Sequence, residues 1–507
     1  MSRLKSLLKF FSSDAGILVL LGLANVLLHT LLNGRYGFHR DELGMLDNAR
    51  HLAWGYVDYP PFTPFIVRLA YALFGAAPAG LRFFSAVAMG AAMVLAGLMA
   101  RDLGGKRFAQ LLAALATAIA PYVLLTGSLF VYATFDYLWW VVAAFMVVRL
   151  LKTGDPRWWL GIGAAIGLGM MTKYAMGFFV AGIVVGIVVT KARRFLLSPW
   201  LWAGVGLALL IFLPNLIWQV QHDFISLKFL QDIHSRDVSI GRGESYLSEQ
   251  VWACTNLVTL PLWIIGLFFA LLAPSARSFR PLAWMYLVPF GLFLYLHGRS
   301  YYLTAAYPML LAAGAVAWEG GLAHLSPGWG RLLKGVTWGL ITTGGLAFSL
   351  IALPLAPVGS ELFWKVSDLN GELKEQVGWP ELVEAVAGVY AKIPDEERLT
   401  TGILTGNYGE AGAINLYGPA YGLPEAISGM NTYWLRGYRD PSPQSLIVVG
   451  VEDPAIYSFF KECGISGTIS NPYNVLNEEV LRHSRIYVCR GLRKPWSEIW
   501  KNFQHFG

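Results

Sequence analysis

The sequence is poor in charge and in cysteine. Charged residues make up 14% of its 507 residues, whereas an ordinary soluble domain carries about 25%. Hydrophobic residues make up 55%, which excludes an ordinary soluble protein and indicates that lipid surrounds most of the chain. Three cysteines are too few for a disulfide framework or a zinc site. Cys254 lies in an apolar run, and Cys463 and Cys489 can either pair, in an extracytoplasmic region, or remain separate thiols.

Several common functional signatures are also missing. The sequence contains no Walker loop and no HExxH, GxSxG, CxxC or EF-hand pattern. Its net charge of +7 arises from short basic clusters between apolar runs, without a continuous basic stripe. This distribution argues against nucleic-acid binding and is typical of membrane topology signals.

Apolar runs of membrane-spanning type recur along the first 355 residues. The first follows a basic start, Arg3, Lys5 and Lys9, and no small-residue cleavage site comes after it, so we predict an uncleaved span. About eleven spans are predicted, at 14–33, 79–100, 108–125, 135–151, 159–172, 174–190, 200–218, 251–273, 282–297, 302–318 and 335–355.

Basic residues support this count, because they occur in alternate connections between the predicted spans. The positive-inside rule assigns that side to the cytoplasm. Eleven spans then place the N-terminus inside the cell and the C-terminus outside a cytoplasmic (inner) membrane, facing the periplasm or the exterior. The basic connections contain Arg101/Lys106/Arg107, Arg149/Lys152/Arg157, Lys191/Arg193/Arg194, Arg277/Arg280 and Arg331/Lys334.

The long outer connections, 34–78 and 219–250, contain acidic, aromatic and histidine residues. In the first, apolar residues recur at helical spacing within DELGMLDNARHLA and FTPFIVRLAYALF, with Thr63 as a candidate helix cap. This pattern predicts two short amphipathic helices that lie on the outer membrane face or pack against the bundle.

The composition becomes soluble near residue 358, so we divide the chain into a transmembrane domain, 1–357, and an extracytoplasmic α/β domain, 358–507. The second domain alternates predicted strands with predicted helices, which favours an α/β fold. The strands are predicted at 399–406, 445–451 and 484–491, and the helices at 408–418 and 453–463.

Four ionisable residues are candidates for chemistry. Asp41 and Glu42 follow the first span, where a carboxylate can act as general base on an acceptor hydroxyl; alternatively, they form the acidic start of a helix. Asp136 begins an apolar run and needs a partner in the bundle or a cavity, unless it caps a helix. Lys173 has no other charge within fifteen residues, and it can bind a lipid phosphate or extend its ammonium group to the interface.

A further outer connection, LHGRSYYL, contains His297, Arg299, Tyr301 and Tyr302. Arginine beside paired tyrosines suits phosphate recognition, although an interfacial aromatic belt gives the same pattern. The outer face has no nucleotide pool, so an activated sugar used there must arrive on a lipid. This reasoning favours a polyprenyl-phosphate donor.

Several long segments resemble one family. RDELGMLDNARHLAWGYVDYPPFTPFIVRLAYALFG, SLFVYATFDYLWW, GLGMMTKYAMGFF and GRSYYLTAAYPMLLAAGA are similar to bacterial glycosyltransferases related to protein O-mannosyltransferases and to the lipid A aminoarabinose transferase. ILTGNYGEAGAINLYGPAYGLPEAISGMNTYW resembles the outer domain of bacterial members. The resemblance implies a GT-C fold, in which a multi-span α-helical bundle carries juxtamembrane helices in its first outer loop. It also implies a polyprenyl-phosphate sugar as donor.

The resemblance implies roles for single residues. Asp41, followed by Glu42, matches the acidic pair of the family's first loop, and Asp136 matches the acidic residue of its second outer loop. Lys173 matches the lysine after the fifth span. Tyr59 departs from the pattern, because aminoarabinose transferases carry a phosphate-binding lysine at this position before the paired prolines. Aminoarabinose transfer to lipid A is therefore disfavoured.

We predict a mannosyltransferase-like, inverting enzyme that moves a sugar from a polyprenyl-phosphate donor to an extracytoplasmic acceptor, which can be lipid A, another envelope glycan, a lipid or a protein. Asp41 deprotonates the acceptor hydroxyl, and Lys173 and Arg299 stabilise the departing phosphate. Asp136 orients a substrate or a cationic partner, and Glu42 shares the base role or holds a divalent cation. The remaining predicted substrate-binding residues are Arg40, Tyr59, His297, Tyr301 and Tyr302.

Two other classes of protein have similar compositions. A transporter or lipid flippase would also have many spans and few buried charges, but we find no internal repeat, and the candidate residues gather on the outer side. A non-catalytic membrane anchor for the α/β domain would leave the charges of the outer loops unexplained.

Overall fold

The computed structural model describes residues 12–451 and 453–507. The basic start, Arg3, Lys5 and Lys9, lies outside the described residues. The chain forms two compact units. The first runs to Asn33 and includes Arg82–His222 and His234–Leu353, and the second consists of Gly34–Leu81, Asp223–Ile233 and Pro354–Gly507. The domain boundary predicted at 357/358 stays a prediction.

Sixteen α-helices occur between Asp14 and Ala352 in the described part of the chain. They are α1 (Asp14–Leu32), α2 (Arg40–Arg50), α3 (Phe62–Phe74), α4 (Pro78–Asp102), α5 (Arg107–Ala118), α6 (Pro121–Ser128), α7 (Tyr132–Thr153), α8 (Trp158–Met170), α9 (Met176–Val188), α10 (Pro199–Gln221), α11 (Ile225–Ser239), α12 (Tyr246–Glu249), α13 (Leu260–Leu272), α14 (Pro281–Tyr295), α15 (Tyr307–Ala323) and α16 (Pro327–Ala352).

Five of these helices are long and apolar enough to cross a membrane: α1, α4, α7, α10 and α16. The shortest, α1, has 19 residues, and a rise of about 1.5 Å per residue gives it a length close to that of the hydrocarbon core. Counting each of two bent helix pairs as one span raises the number to seven within the described residues. These helices make the chain a multi-pass membrane protein, whereas the count of eleven and the sidedness stay predictions.

The bent pairs differ from the straight spans predicted there. The run predicted at 108–125 consists of α5 and α6, which meet at 62° where Pro121 begins the second helix. Proline lacks the N–H that would continue the first helix, so the bend falls at this residue. The run predicted at 174–190 contains α9, and a 3₁₀-helix, Lys191–Leu197, follows it at an angle of 104°. Four shorter helices, α8, α13, α14 and α15, overlap the runs predicted at 159–172, 251–273, 282–297 and 302–318.

Small residues allow helices of the first unit to approach closely. A Cβ atom on Gly266 of α13 would lie 2.0 Å from the carbonyl oxygen of Leu310 in α15, and one on Gly314 would lie 1.9 Å from that of Leu262. Both distances are shorter than any real contact. The two backbones therefore meet directly, as they commonly do between helices in membranes.

A five-stranded mixed sheet forms the core of the C-terminal part of the second unit. Its order is β2-β1-β3-β5-β4, with β2, β1 and β3 parallel and β5 antiparallel to both β3 and β4. All five residues of β1 and of β3 are buried, as is usual for strands covered on both faces. The strands are β1 (Thr401–Thr405), β2 (Ala426–Ser428), β3 (Ser445–Val449), β4 (Phe460–Thr468) and β5 (Arg485–Leu492).

Short helices surround this sheet. They are α17 (Glu361–Leu369), α18 (Trp379–Tyr390), α19 (Asp395–Arg398), α20 (Tyr408–Tyr417), α21 (Asn431–Leu435), α22 (Asp453–Phe459), α23 (Glu478–Arg482) and α24 (Trp496–Ile499). The three predicted strands and the helix at 408–418 are thus present.

Two predicted details in this unit are wrong. The helix predicted at 453–463 ends at Phe459, and Phe460 begins β4, because this segment pairs with β5. Cys463 lies opposite Cys489 in that pairing, and the two form a disulfide. Thr63 does not cap α3; the helix begins one residue earlier, after Pro61, and no side chain caps it.

Candidate active site

Asp41 stands at the start of α2, in the second unit. The residues on either side fix this helix end: the His39 ring accepts the Asp41 N–H at 3.2 Å, and Glu42 Oε2 accepts the His39 N–H at 2.8 Å. His39 and Glu42 together form a capping box, in which the side chain of each accepts the backbone N–H of the other. Glu42 is fully buried and serves the helix start, whereas the half-buried Asp41 side chain accepts a hydrogen bond of 2.7 Å from the Tyr408 hydroxyl.

A second carboxylate, Asp58, lies near Asp41. Its Oδ1 accepts a hydrogen bond of 3.1 Å from the Thr432 hydroxyl. Burial raises the pKa of Asp58 to about 6, against the effect of the Thr432 hydrogen bond, and the charge of Asp41 adds to the increase. Asp58 and Tyr408 were absent from the predicted site, although both lie within the segments that resemble the family, VDYPP and NYGEAG.

The helix that carries Asp41 packs against α20. A Cβ atom on Gly412 would lie 2.5 Å from the backbone carbonyl of Leu43, and one on Gly44 would lie 2.9 Å from the Tyr408 ring. Leu43, Met45, Leu46 and Ala49 of α2 are buried. This helix is therefore a buried element of the second unit that packs against α20. Its predicted position at the outer membrane face or against the bundle stays a prediction.

Polar contacts also hold the middle of α2. The guanidinium of Arg436 pairs with Asp47 and donates to the side-chain oxygen of Asn48. Asp47 Oδ1 also accepts from the Asn415 amide at 3.0 Å, and Arg50 donates to the Asn415 carbonyl at 2.6 Å. Residues from two segments of the C-terminal part of the chain thus fix the position of the Asp41 helix.

Arg40, a predicted substrate-binding residue, is surrounded by carboxylates. Its guanidinium lies 2.6 Å from Glu375, 2.5 Å from Glu478 and 3.7 Å from Glu479. Charge-assisted pairs of this kind are strong when they are partly buried. Arg40 therefore joins α2 to the C-terminal part of the chain. Tyr59 is likewise buried, and its oxygen accepts a hydrogen bond of 2.5 Å from the Asn48 amide.

Lys173 lies in the first unit, in the connection between α8 and α9, and faces three tyrosine rings. Its ammonium nitrogen is 3.7 Å from the centre of the Tyr302 ring, 5.0 Å from that of Tyr301 and 5.2 Å from that of Tyr132. Ring faces attract a cation without neutralising its charge. Among the described residues, no carboxylate lies within 4.0 Å of this nitrogen. The site therefore presents a positive charge in an aromatic setting.

Arg299 is close to this cluster but is already paired. Its Nε donates to Asp237 Oδ2 at 2.5 Å and its Nη2 to Oδ1 at 3.1 Å, while Nη1 donates to the Tyr301 hydroxyl at 3.3 Å. Burial would raise the pKa of Asp237, but the hydrogen bonds and charge of Arg299 outweigh it and lower this pKa. Asp237, which lies on α11 within the predicted outer connection 219–250, was not among the predicted site residues.

Asp136 and His297 occupy different surroundings. Asp136 lies in the first turns of α7, where it is buried and accepts a hydrogen bond of 3.0 Å from the Trp140 indole. It is near enough to Lys173 for the two charges to attract each other. It does not cap α7, whose N-cap is Val131. His297 is exposed, and its backbone has a φ of 51°.

The structure thus forms two groups from the predicted residues. Asp41, Glu42, Arg40 and Tyr59 belong to the second unit. The first unit brings together five others: Asp136, Lys173, Arg299, Tyr301 and Tyr302. His297 belongs to the same unit and lies two residues before Arg299. Over the residues that the structure describes, no group of three or more His, Cys, Asp or Glu side chains is arranged to hold a metal ion.

Comparison with known sequences gives two findings. The family model of dolichyl-phosphate-mannose-protein mannosyltransferases matches residues 58–218. The lipid A galacturonosyltransferase RgtD of Rhizobium johnstonii is 27% identical over 274 residues, which cover 53% of this chain and 55% of that protein. The chain therefore spans about half the length of the curated relatives that it matches.

Comparison with solved structures identifies the fold. ArnT of Cupriavidus metallidurans in the apo state superposes with a TM-score of 0.58 and 15% identity, over 94% of this chain and 98% of that one. The same protein bound to undecaprenyl phosphate gives a TM-score of 0.55 and 16% identity, over 93% and 97%. The chain is therefore similar to the mannosyltransferase family over residues 58–218, and it shares the fold of ArnT.

Proposed function

We propose that the protein transfers a sugar from a polyprenyl-phosphate donor to an acceptor outside the cytoplasmic membrane. The donor class is supported by the solved relative of the same fold that binds undecaprenyl phosphate. The acceptor is lipid A, another envelope glycan, a lipid or a protein, and the curated relative that acts on lipid A supports the first of these.

The observation that carries this proposal is the environment of Lys173. Lys173 faces three tyrosine rings and has no carboxylate within 4.0 Å among the described residues, so its ammonium group is available to pair with an anion. A phosphate that leaves a sugar carries negative charge, which a fixed cation in a poorly hydrated site stabilises strongly. Arg299 shares its charge with Asp237, so we assign the main phosphate contact to Lys173 and a supporting contact to Arg299.

We assign the base role to Asp41 rather than to Glu42. Glu42 is buried and is committed to the start of α2. Asp41 is half-buried, and Tyr408 binds one of its oxygens, so the other can accept a proton. In this mechanism Asp41 takes the proton from an acceptor hydroxyl. The acceptor oxygen attacks the anomeric carbon, the bond to the phosphate oxygen breaks, and the configuration inverts.

A transporter is disfavoured as the second candidate. The family model and the curated relative both name glycosyl transfer, and the fold is that of a glycosyltransferase. A transporter would also place its ionisable groups on a pathway through the bilayer. In this protein, by contrast, α2 and its carboxylates are anchored to the polar C-terminal part of the second unit.

The test is sugar transfer by purified protein in lipid nanodiscs. Glycan and lipid mass spectrometry of a deletion strain first identifies the missing product, and transfer from a polyprenyl-phosphate sugar is then measured. Asp41→Asn keeps the size of the side chain and removes its charge, so turnover should fall by about 10²–10⁴-fold while folding survives. Glu42→Gln is the control. If Asp41→Asn is active and Glu42→Gln is inactive, the base is Glu42; if both are active, Asp136 becomes the candidate.

A further inference from the structure

A basic cavity of about 450 Å³ lies in the first unit. It is at the end of α9 and the start of α14, whereas Lys173 precedes α9 and Arg299 follows α14. One wall is formed by the end of α9 and the 3₁₀-helix Lys191–Leu197. The other is formed by the end of α13, a 3₁₀-helix at Pro274–Phe279 and the start of α14. Four basic side chains line it: Lys191, Arg193, Arg277 and Arg280.

The positive charge of this cavity is not neutralised by the chain. The sequence has no acidic residue in 156–222 or in 250–318. Over the described ranges, none of the four basic side chains forms an ion pair within 4.0 Å. The Nε atom of Arg280 is buried and has no hydrogen-bond acceptor among these residues. Like charges that share one cavity repel each other, so a bound anion would stabilise the arrangement.

Close packing of α9 on α14 brings the two basic connections together. A Cβ atom on Gly186 would lie 2.8 Å from the carbonyl oxygen of Pro281, and one on Gly182 would lie 3.0 Å from the Cα atom of Met285. The chain then turns by 104° after α9 into the 3₁₀-helix that carries Lys191 and Arg193. Both connections are predicted to be cytoplasmic, so the cavity belongs to that side of the bilayer.

Apolar surface continues from the cavity along the helices. Val189, Leu271 and Trp284 line the cavity itself. On α9, Val184 and Val188 are 53% and 46% exposed, and on α13, Phe268 and Leu272 are 55% and 68% exposed. The residues of each pair are four apart and therefore lie one above the other on their helix. A ligand with a charged head and hydrocarbon chains would fit both features.

We propose that this cavity binds the phosphate head group of an anionic glycerophospholipid from the inner leaflet, with its acyl chains along α9 and α13. Basic pockets between membrane helices on the cytoplasmic side suit such head groups. This site is separate from the donor site at Lys173, and the proposal does not depend on the proposed function. Free phosphate and a polyprenyl phosphate carry the same anionic group as the phospholipid. The experiment therefore distinguishes phospholipid, polyprenyl phosphate and free phosphate as ligands of the cavity.

The experiment is native mass spectrometry of the purified full-length chain in detergent. The probes are dioleoyl phosphatidylglycerol, dioleoyl phosphatidylcholine, undecaprenyl phosphate and inorganic phosphate. We expect tight binding of phosphatidylglycerol and weak binding of phosphatidylcholine. Arg277→Gln with Arg280→Gln should weaken phosphatidylglycerol binding about 30-fold, since each cation near a membrane contributes about fivefold. Arg331→Gln with Lys334→Gln removes two cations from another predicted cytoplasmic connection and should change nothing.

Several results would overturn the proposal. The first is equal binding of phosphatidylglycerol by Arg277→Gln with Arg280→Gln and by the Arg331→Gln with Lys334→Gln control. The second is binding of inorganic phosphate as tight as that of phosphatidylglycerol. The third is a cavity variant that loses binding of undecaprenyl phosphate alone. If Arg277→Gln with Arg280→Gln does not fold, Lys191→Gln with Arg193→Gln provides the same test from the exposed 3₁₀-helix. Lys173→Ala should leave phosphatidylglycerol binding unchanged, which separates this site from the donor site.

Discussion

The hydroxyl of Tyr408 donates a hydrogen bond of 2.7 Å to Oδ1 of Asp41, although the two residues are 367 positions apart in the sequence. This bond joins the start of α20 to the start of α2. Both helices begin with a capping box, His39 with Glu42 and Asn407 with Glu410. Two fixed helix ends therefore set the position of the proposed base.

Removal of this bond tests whether Tyr408 positions the base. Tyr408→Phe keeps the ring, so α20 should stay packed and the protein should fold. A lost hydrogen bond to a charged group costs about 1.5–3 kcal/mol, so kcat should fall about tenfold or more while KM for the donor lipid stays the same. A rise in KM with unchanged kcat would assign Tyr408 to donor binding instead.

The charge of Lys173 is expected to hold the donor phosphate. Lys173→Ala should weaken binding of a polyprenyl-phosphate sugar by roughly ten- to a hundredfold, and Lys173→Arg should weaken it less, because charge rather than shape is required. Titration of the purified protein with the donor measures both. The matched control is Lys334→Ala, since Lys334 also lies over an aromatic ring, that of Phe108 at 5.2 Å. Normal donor binding by Lys173→Ala would make Lys173 an interfacial anchor.

The contact between α20 and α2 leaves no room for a side chain at Gly412. A Cβ atom there would lie 2.5 Å from the backbone of Leu43, which cannot move without moving α2. Gly412→Ala should therefore destabilise the protein by about 1–3 kcal/mol and reduce transfer, because Asp41 is displaced. Gly388→Ala is the control: a Cβ at this helical position in α18 meets nothing within 4 Å, so stability should be unchanged or rise by about 0.5–1 kcal/mol. Thermal unfolding in detergent measures both.

Glu410 makes stability depend on pH. Burial raises its pKa from 4.5 to about 8, and nearby Glu479 adds to the increase. Between these two pH values, the folded protein keeps a proton that the unfolded chain has lost, so the free energy of unfolding falls as pH rises. The amide side chain of Glu410→Gln does not titrate. This variant should therefore reduce the pH-dependent fall in the free energy of unfolding by on the order of 2 kcal/mol.

The measurement is the unfolding temperature of the full chain in detergent from pH 5 to pH 8. Glu361→Gln is a suitable control, because Glu361 is exposed on α17 and its ion pair is with the exposed Lys365 four residues away. If the Glu410→Gln protein loses stability with pH as steeply as the wild type, Glu410 is ionised in the folded state across this range.

Membrane orientation needs a direct measurement. An odd number of spans and a cytoplasmic N-terminus place the C-terminal part, with the disulfide between Cys463 and Cys489, outside the cytoplasm. Such bonds persist in oxidising compartments. A C-terminal alkaline phosphatase fusion should be active and a green fluorescent protein fusion dark. The opposite result would mean that the number of spans is even.

Local sequence patterns predicted the elements that have strong local signals. The helices α2, α3 and α20 and the strands β1, β3 and β5 occur where apolar spacing and flanking polar residues indicated them. The strand β4 was missed because its sequence, FKECGISGT, has a weak strand pattern, and only its first residue, Phe460, is buried. Pairing between distant segments overrode the local preference of Phe460 to Cys463.

The candidate residues could be selected from the sequence one by one, but their arrangement could not be predicted. Asp136, Lys173 and Tyr302 were selected because ionisable and aromatic side chains stand out in apolar surroundings, and their roles stay predictions. The pairing of Arg299 with Asp237 and the approach of Tyr408 to Asp41 depend on contacts between segments far apart in sequence. Spacing along the chain contains no information about such contacts. The bend before Pro121, by contrast, had a visible local cause and could have been predicted.

The anchoring of α2 by the C-terminal part of the chain has a consequence for biosynthesis. The residues that hold this helix, Tyr408, Asn415 and Arg436, are translated more than 360 positions after Asp41. At about 5–20 residues per second, roughly 20–70 seconds separate the synthesis of Asp41 from that of Tyr408. During this interval the helix lacks its partner, so a nascent or truncated chain would already be in the membrane while the position of Asp41 is not yet fixed.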